Sequence, residues 1–549
     1  MHLTIRHYLA IALVTFAIFL PGRMTLPPLD RDEPRYMEAT AQMLSSGNYV
    51  DVRFLDQPRY LQPAGIYWLE ALSVKAFGGG SERQPWPYRI PSLVAVTLAV
   101  MLTAWLGALL FGGQAGVMAA ALLATSTLLT AEGRMATIDS VLLLDILLVE
   151  TALLLAYRGA RDGRDVPLWT ALLYWGALGC GLMLKGPVVL IPGFLTPLVL
   201  WAWERDRSWW RGLRPAWGWV LMLVIVLPWC VAIDVVSHGD FFARAVGVNF
   251  LGKIGHGQEA HGSAPGFHLA VFGLAFWPGS LFAVLAVPAV WMRRRLPEVR
   301  FLLCWIVPHW IVFELIATKL PHYVMPTYPA IALLTGAALT VWPQREAVAR
   351  WVRGVMWAYA GVWFVLGLVF AGVGMGALWG IERIWSPREL IAVLGAVPLV
   401  VVSGWLLLKR DRQRAAWSAI AAAVVIHTGL FVAVIPRLQT IWLAPRIATM
   451  FDDLKPCRDS TLVSTAFSEP SLVFLVGQNT RLLGAQAAAG YLADHQDCSL
   501  ALVNRKDDAV FESALQARGL KSIEYGRIAG VNYSNGHHLD LGLFAPIRP

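Results

Sequence analysis

Apolar runs separated by short polar stretches dominate the first four fifths of this chain. A helix crossing a hydrocarbon core about 30 Å thick needs roughly 20 apolar residues. Thirteen segments reach or approach that length, at about 7–22, 89–111, 115–131, 138–157, 168–184, 186–203, 217–236, 267–291, 301–317, 325–342, 354–375, 388–408 and 416–435. The pattern therefore predicts an α-helical polytopic membrane protein with about thirteen transmembrane helices. The first run follows Arg6 and His7 and lacks a clean small-x-small cleavage site, so it reads as a retained helix rather than a leader. Segments five and six are separated only by "LKGP", where Pro187 favours a break.

After about residue 436 the pattern changes, and Asp, Glu, Asn and Ser return. "TLVSTAF", "SLVFLVG" and "SIEYGRI" read as strands, and "DDAVFESALQARG" reads as a helix ending at Gly519. The expected organisation is a transmembrane domain over 1–435, with an outer loop at 22–88 carrying amphipathic surface helices, and a small extracytoplasmic α/β domain over 436–549.

Composition agrees with this class: 57 % of the residues are hydrophobic and 15 % charged, against roughly 25 % charged in soluble domains. The net charge of +9 does not indicate nucleic acid. Its arginines gather in short loops, at 158–164, 205–214, 293–300, 345–353 and 409–414, the positive-inside pattern of cytoplasmic loops. An N-terminus inside then leaves 22–88, 237–266, 318–324 and everything after 436 outside. Cys180, Cys230 and Cys304 lie in apolar helices and read as packing residues. Cys457 and Cys498 fall in the outer domain, where sequence leaves a disulfide open.

Ionisable residues beside membrane segments usually face a cavity or pathway. Asp32 and Glu33 begin "DEPRYMEATAQMLSSG", whose spacing, Pro34 and Gly47 predict an amphipathic helix on the outer surface. Arg35 and Tyr36 follow within one turn. Simple capping of the helix dipole is the competing explanation for both acids. Asp139 stands at the outer start of the fourth segment, Lys185 at the tip between the fifth and sixth, and His322 and Tyr323 in "KLPHY" between the ninth and tenth. Such a set suits transfer from a lipid phosphate. A carboxylate takes a proton from an acceptor hydroxyl, and cations and a phenol hold the departing phosphate. In 237–266, Arg244 is a candidate for an anionic ligand, and His256, His261 and the nearby His268 match no closed zinc spacing.

The stretches "RDEPRYMEATAQMLSSGNYV", "QPAGIYWLEALSVKAFG" and "RMATIDSVLLL" resemble the GT-C-type membrane glycosyltransferases of the protein O-mannosyltransferase superfamily, nearest to the bacterial lipid A aminoarabinose transferase branch. That resemblance implies a sugar donor on a polyprenyl (undecaprenyl) phosphate, used on the periplasmic face of the bacterial inner membrane. It implies an inverting glycosyltransferase whose acceptor is lipid A or another anionic cell-envelope glycolipid. It places catalytic carboxylates at Asp32 and Asp139, with Glu33 beside them. Donor phosphate contacts fall to Lys185, Tyr323, Arg59, Arg244 and Gln62, and acceptor or loop contacts to Arg35, Tyr36, His261 and His322. The branch carries a phenylalanine-glutamate-lysine-proline run where this chain has "YLQP", residues 60–63. Leu61 thus replaces an acid able to help bind zinc. Gln62 replaces a phosphate-gripping lysine and brings no charge, which leaves Arg59 or Lys185 to supply it. No cofactor is required by this reading, and a divalent metal stays open. Protein O-glycosylation is the alternative within the enzyme class. A lipid or sugar transporter is the alternative outside it, disfavoured because the polar groups cluster at outer helix ends rather than at the bilayer midplane.

Overall fold

A computed structural model describes residues 3–80, 82–252, 262–342 and 349–547. It is a helical bundle carrying a mixed α/β layer built from its last hundred residues.

The thirteen-span expectation is overturned. Among the described residues, six helices are long and apolar enough to cross a membrane. A seventh is added if the pair Phe267–Ala275 and Gly279–Met292, bent by 118°, counts as one span. Three physical causes account for four of the lost segments. Ile5–Phe19 and Gly113–Ala124 are only 15 and 12 residues long, and apolar helices of that length serve as readily in a packed core. Ile138–Arg161 is long enough but carries Asp139, Asp145, Glu150, Arg158 and Arg161. The fifth and sixth segments count as one apolar run, Leu168–Glu204, 37 residues, although the break expected at Pro187 is present: Leu168–Lys185 ends on Gly186, and a 3-10 turn, Gly186–Val189, leads into Leu190–Glu204. The chain remains a multi-pass membrane protein with several long apolar helices. Pro215–Ser237 and Pro387–Leu408 are apolar yet little buried by protein, as helices facing lipid should be.

The strands β1 (Arg53–Phe54) and β2 (Gln57–Pro58) form a short antiparallel pair. In the C-terminal region, strands β3 (Thr461–Ser464), β4 (Thr480–Leu482), β5 (Ser499–Asn504), β6 (Lys521–Asn532) and β7 (His537–Ile547) form one sheet in the order β4-β3-β5-β7-β6. β3 runs parallel to β4 and β5, while β7 pairs antiparallel with β5 and β6. Every residue of β5 is buried, as a strand at the centre of a sheet covered on both faces requires. The expected helix appears as Asp508–Gln516, with Gly519 in the left-handed region. "SLVFLVG" is not a strand but part of the helix Pro470–Val476. Pro470 occupies the helix start, where its missing N–H costs nothing, and a seven-residue apolar run does not by itself distinguish strand from helix. Cys457 and Cys498 are disulfide-bonded, their Cα atoms 5.6 Å apart.

The helix Pro470–Val476 lies against the helix Asp32–Ser46. Asp30 accepts hydrogen bonds from the Ser471 amide at 2.9 Å and its hydroxyl at 2.6 Å. The Tyr533 hydroxyl accepts from the Asp30 amide at 2.6 Å. Arg83 bridges Glu38 and the Phe474 carbonyl. The start of the Asp32 helix is therefore clamped from the C-terminal layer.

Candidate active site

The amphipathic helix forms as its pattern predicts, over Asp32–Ser46, and ends on Gly47 at φ 70°. Its first turn divides its two acids between opposite surroundings. Glu33 turns inward to a fully buried pair with Arg89, at 2.7 and 2.9 Å. It also accepts from the amides of Leu29 and Ala136, both at 2.8 Å. Four hydrogen bonds saturate this carboxylate, and it does not line the cavity described next. Its work is mechanical: Glu33 follows Asp32, and Ala136 lies three residues before Asp139, so one anchor fixes the backbone beneath both other acids.

Asp32, Arg35, Tyr36, Arg59, Gln62, Asp139, Lys185, His322 and Tyr323 line a single cavity of about 750 Å³. Asp32 stays solvent-accessible, 3.8 Å from Arg35. Asp139 and Lys185 are mostly buried, and their charges meet at 2.6 Å. The Lys185 ammonium also sits 5.6 Å from the centre of the Tyr323 ring, in cation–π range. The Tyr36 hydroxyl donates to Gln62 at 2.7 Å. The Arg59 guanidinium stacks 5.2 Å over the Tyr36 ring while its Nε donates to Tyr67 at 2.9 Å. Away from this polar end, the walls are Ile191, Val226, Trp229, Phe241, Phe242 and Phe313. A charged mouth leading to an apolar wall fits an amphiphile with an anionic head.

Close packing brings the first loop to Lys185. A Cβ on Gly65 would stand 2.5 Å from the Met183 carbonyl oxygen, so only glycine lets the Gly65–Phe77 helix approach the end of Leu168–Lys185 this closely. Residues 59–62 reach the cavity because that contact is made.

Arg244, another sequence candidate, lies elsewhere. It sits on an adjoining cleft of about 340 Å³ that shares Arg35, Arg59 and Leu61 with the cavity, and it pairs with Asp240 at 3.4 Å. His261 lies outside the described residues. Lys319 is buried, its ammonium donating to the carbonyls of Ser263 and Ile316. Among the described residues no group of three or more His, Cys, Asp or Glu side chains is placed to hold a metal ion, and Leu61 offers no donor.

Sequence reasoning passed over Glu132 as a site residue. Its carboxylate accepts from the Thr137 hydroxyl at 2.8 Å and lies 3.6 Å from His322, which is itself 3.7 Å from Asp139. The available signal was spacing: Glu132 and Asp139 stand seven residues apart, on either side of one tight turn.

Residues 61–231 match the family described as dolichyl-phosphate-mannose-protein mannosyltransferase. An undecaprenyl phosphate-alpha-4-amino-4-deoxy-L-arabinose arabinosyl transferase of Pectobacterium atrosepticum is 25 % identical over 445 residues, covering 77 % of this chain and 74 % of that protein. Its counterpart in Pseudomonas paraeruginosa is 30 % identical over 328 residues, covering 59 % of this chain and 57 % of that protein. The crystal structure of ArnT from Cupriavidus metallidurans bound to undecaprenyl phosphate superposes with a TM-score of 0.72 at 18 % identity, over 98 % of this chain and 97 % of that one. The chain has the GT-C fold and is related to the aminoarabinose transferases. Within that relationship "YLQP" keeps a polar side chain at Gln62, now accepting from Tyr36, while the cations at this end of the cavity are Lys185, Arg59 and Arg35.

Proposed function

We propose that this chain is an inverting glycosyltransferase that moves a sugar from a polyprenyl (undecaprenyl) phosphate to an acceptor hydroxyl at the periplasmic face of a bacterial inner membrane. The acceptor is lipid A or another anionic cell-envelope glycolipid. The observation that carries this reading is the gathering of Asp32, Asp139, Lys185, Arg59 and Tyr323 around one cavity whose other walls are apolar. The relationship to the undecaprenyl-phosphate arabinosyl transferases supports the donor class. The disulfide supports an oxidising compartment for the C-terminal layer.

In the reaction, Asp32 takes the proton of the acceptor hydroxyl, whose oxygen attacks the anomeric carbon. The bond from that carbon to the phosphate oxygen breaks, and its electron pair leaves with the lipid phosphate. Lys185 and Arg59 neutralise the charge that grows there, in a cavity where low dielectric strengthens each contact. Asp139 orients Lys185. The apolar wall of Trp229, Phe241 and Phe242 accommodates the first isoprene units. The regions 1–435 and 436–549 act as a membrane-embedded transferase domain and a periplasmic domain that clamps the Asp32 helix. The family match over 61–231 supports a second reading, in which the acceptor hydroxyl belongs to a protein.

Purified protein supplied with a polyprenyl-phosphate-linked sugar tests the reading. Polyprenyl phosphate should be released only when an acceptor is present, and supplying glycolipid or protein separately decides between the acceptors. Acceptor-independent release, or lipid movement across vesicles without cleavage of the sugar bond, contradicts it.

A further inference from the structure

Behind the Asp139–Lys185 pair lies a second acid with no assigned role. Glu132 closes the short helix Thr127–Glu132, and its carboxylate is almost wholly buried. His322, on the 3-10 turn Pro321–Thr327, stands between the acids: Nδ1 is 3.6 Å from Glu132 and Nε2 is 3.7 Å from Asp139. Thr137 donates to the other Glu132 oxygen at 2.8 Å. The groups facing this imidazole are Glu132, Asp139, Lys185 and, on its own turn, Tyr323, with Asp32 and His268 farther off. Counting charge, two ionised carboxylates against one ammonium and a neutral imidazole leave the cluster at −1. That excess negative charge opposes an anion held by Lys185, Arg59 and Arg35 in the same cavity. One proton held in the cluster makes it neutral.

We propose that Glu132, braced by His322 and Thr137, is a positioning residue that holds this proton and so keeps the Lys185 end of the cavity attractive to a phosphate. The proposal rests on the reading above that a lipid phosphate docks beside Lys185. Burial, reinforced by the Asp139 charge, pushes Glu132 well above the ordinary carboxylate range. Burial lowers His322, opposed by Asp139, so the proton resides on the acid and the ring stays neutral. When pH rises and Glu132 ionises, the cluster becomes anionic, and affinity for a bound anion falls by linkage, by at most about tenfold per pH unit for one proton.

The probe is a polyprenyl phosphodiester, whose single acid is ionised throughout, bound to the full-length protein in detergent between pH 7 and 9. Wild type should lose affinity across this range. E132Q, neutral at every pH and similar in shape, should keep the affinity seen at pH 7 and lose the alkaline fall. T137V removes the hydrogen bond that favours the ionised acid, so it should move the fall to higher pH. T137V also keeps the proposal falsifiable should E132Q fail to fold. An alkaline fall that persists unchanged in E132Q or, where E132Q does not fold, in T137V, or that is missing in wild type while the lipid binds, overturns the inference alone. Absence of binding at every pH overturns the phosphate reading and the inference with it.

Discussion

Lys185→Met removes the ammonium that meets Asp139 at 2.6 Å and nearly preserves the length of the side chain. Both partners are mostly buried, at 16 % and 11 % side-chain exposure, so the lost charge is not replaced by water. Breaking a buried pair from one side costs roughly 3–5 kcal/mol, because the remaining charge is left uncompensated. A charged hydrogen bond to phosphate is worth about 1.5–3 kcal/mol, so lipid phosphate affinity should fall roughly 10- to 150-fold. The double variant K185M/D139N separates the two effects. Replacing a whole buried pair by neutral groups is often close to neutral for stability, so thermal unfolding in detergent should return near the wild-type curve. Affinity for polyprenyl monophosphate, measured on the same preparations, should recover only the part lost to the uncompensated Asp139 charge and stay well below wild type. Wild-type affinity in the stable double variant would refute the phosphate role of Lys185, and an undiminished stability of K185M would refute the ion-pair reasoning.

Other consequences follow from the same geometry. E33Q leaves the buried Arg89 guanidinium without its counter-charge and should destabilise the folded protein by roughly 3–5 kcal/mol, read by denaturant or thermal unfolding. G65A places a methyl group against the Met183 carbonyl; overpacking of this kind costs about 1–3 kcal/mol, and turnover should fall because residues 59–62 move away from Lys185. Asp30 is raised to about 6, chiefly by burial. The folded state therefore holds this proton more tightly than the unfolded chain does, and the stability it contributes is present near pH 4 and lost as pH rises through about 6. Relative to D30N, wild type should lose up to roughly 3 kcal/mol between those limits, seen as a steeper decline of its melting temperature with pH.

Much of the site's location was legible because charge next to an apolar segment is costly unless it faces a cavity. Asp139, Lys185, His322 and Tyr323 each stand at such a boundary, and the fold brings them to one cavity with Asp32 and Arg59. The orientation of neighbours was not legible. Asp32 and Glu33 are adjacent and chemically alike, and only the distant Arg89, 56 residues on, decides which one is buried. Arg244 looked equivalent to Arg59, but its π-helical turn, Ala243–Leu251, carries it to the adjoining cleft. The span count failed for a different reason. Hydropathy registers that a segment avoids water but not whether lipid or protein surrounds it. Tyr328–Thr340, only 13 residues, is almost entirely enclosed by neighbouring helices.

The most direct test of the central claim is the turnover of Asp32→Asn in a purified assay with a polyprenyl-phosphate-linked sugar and its acceptor. Asp32 is solvent-accessible, and among the described residues its ion-pair partner is Arg35, at 3.8 Å, so folding and affinity for polyprenyl monophosphate should be unchanged. General-base catalysis typically contributes about 10²- to 10⁴-fold, and turnover should drop by that factor. Near wild-type transfer by D32N with lipid binding intact would contradict the account.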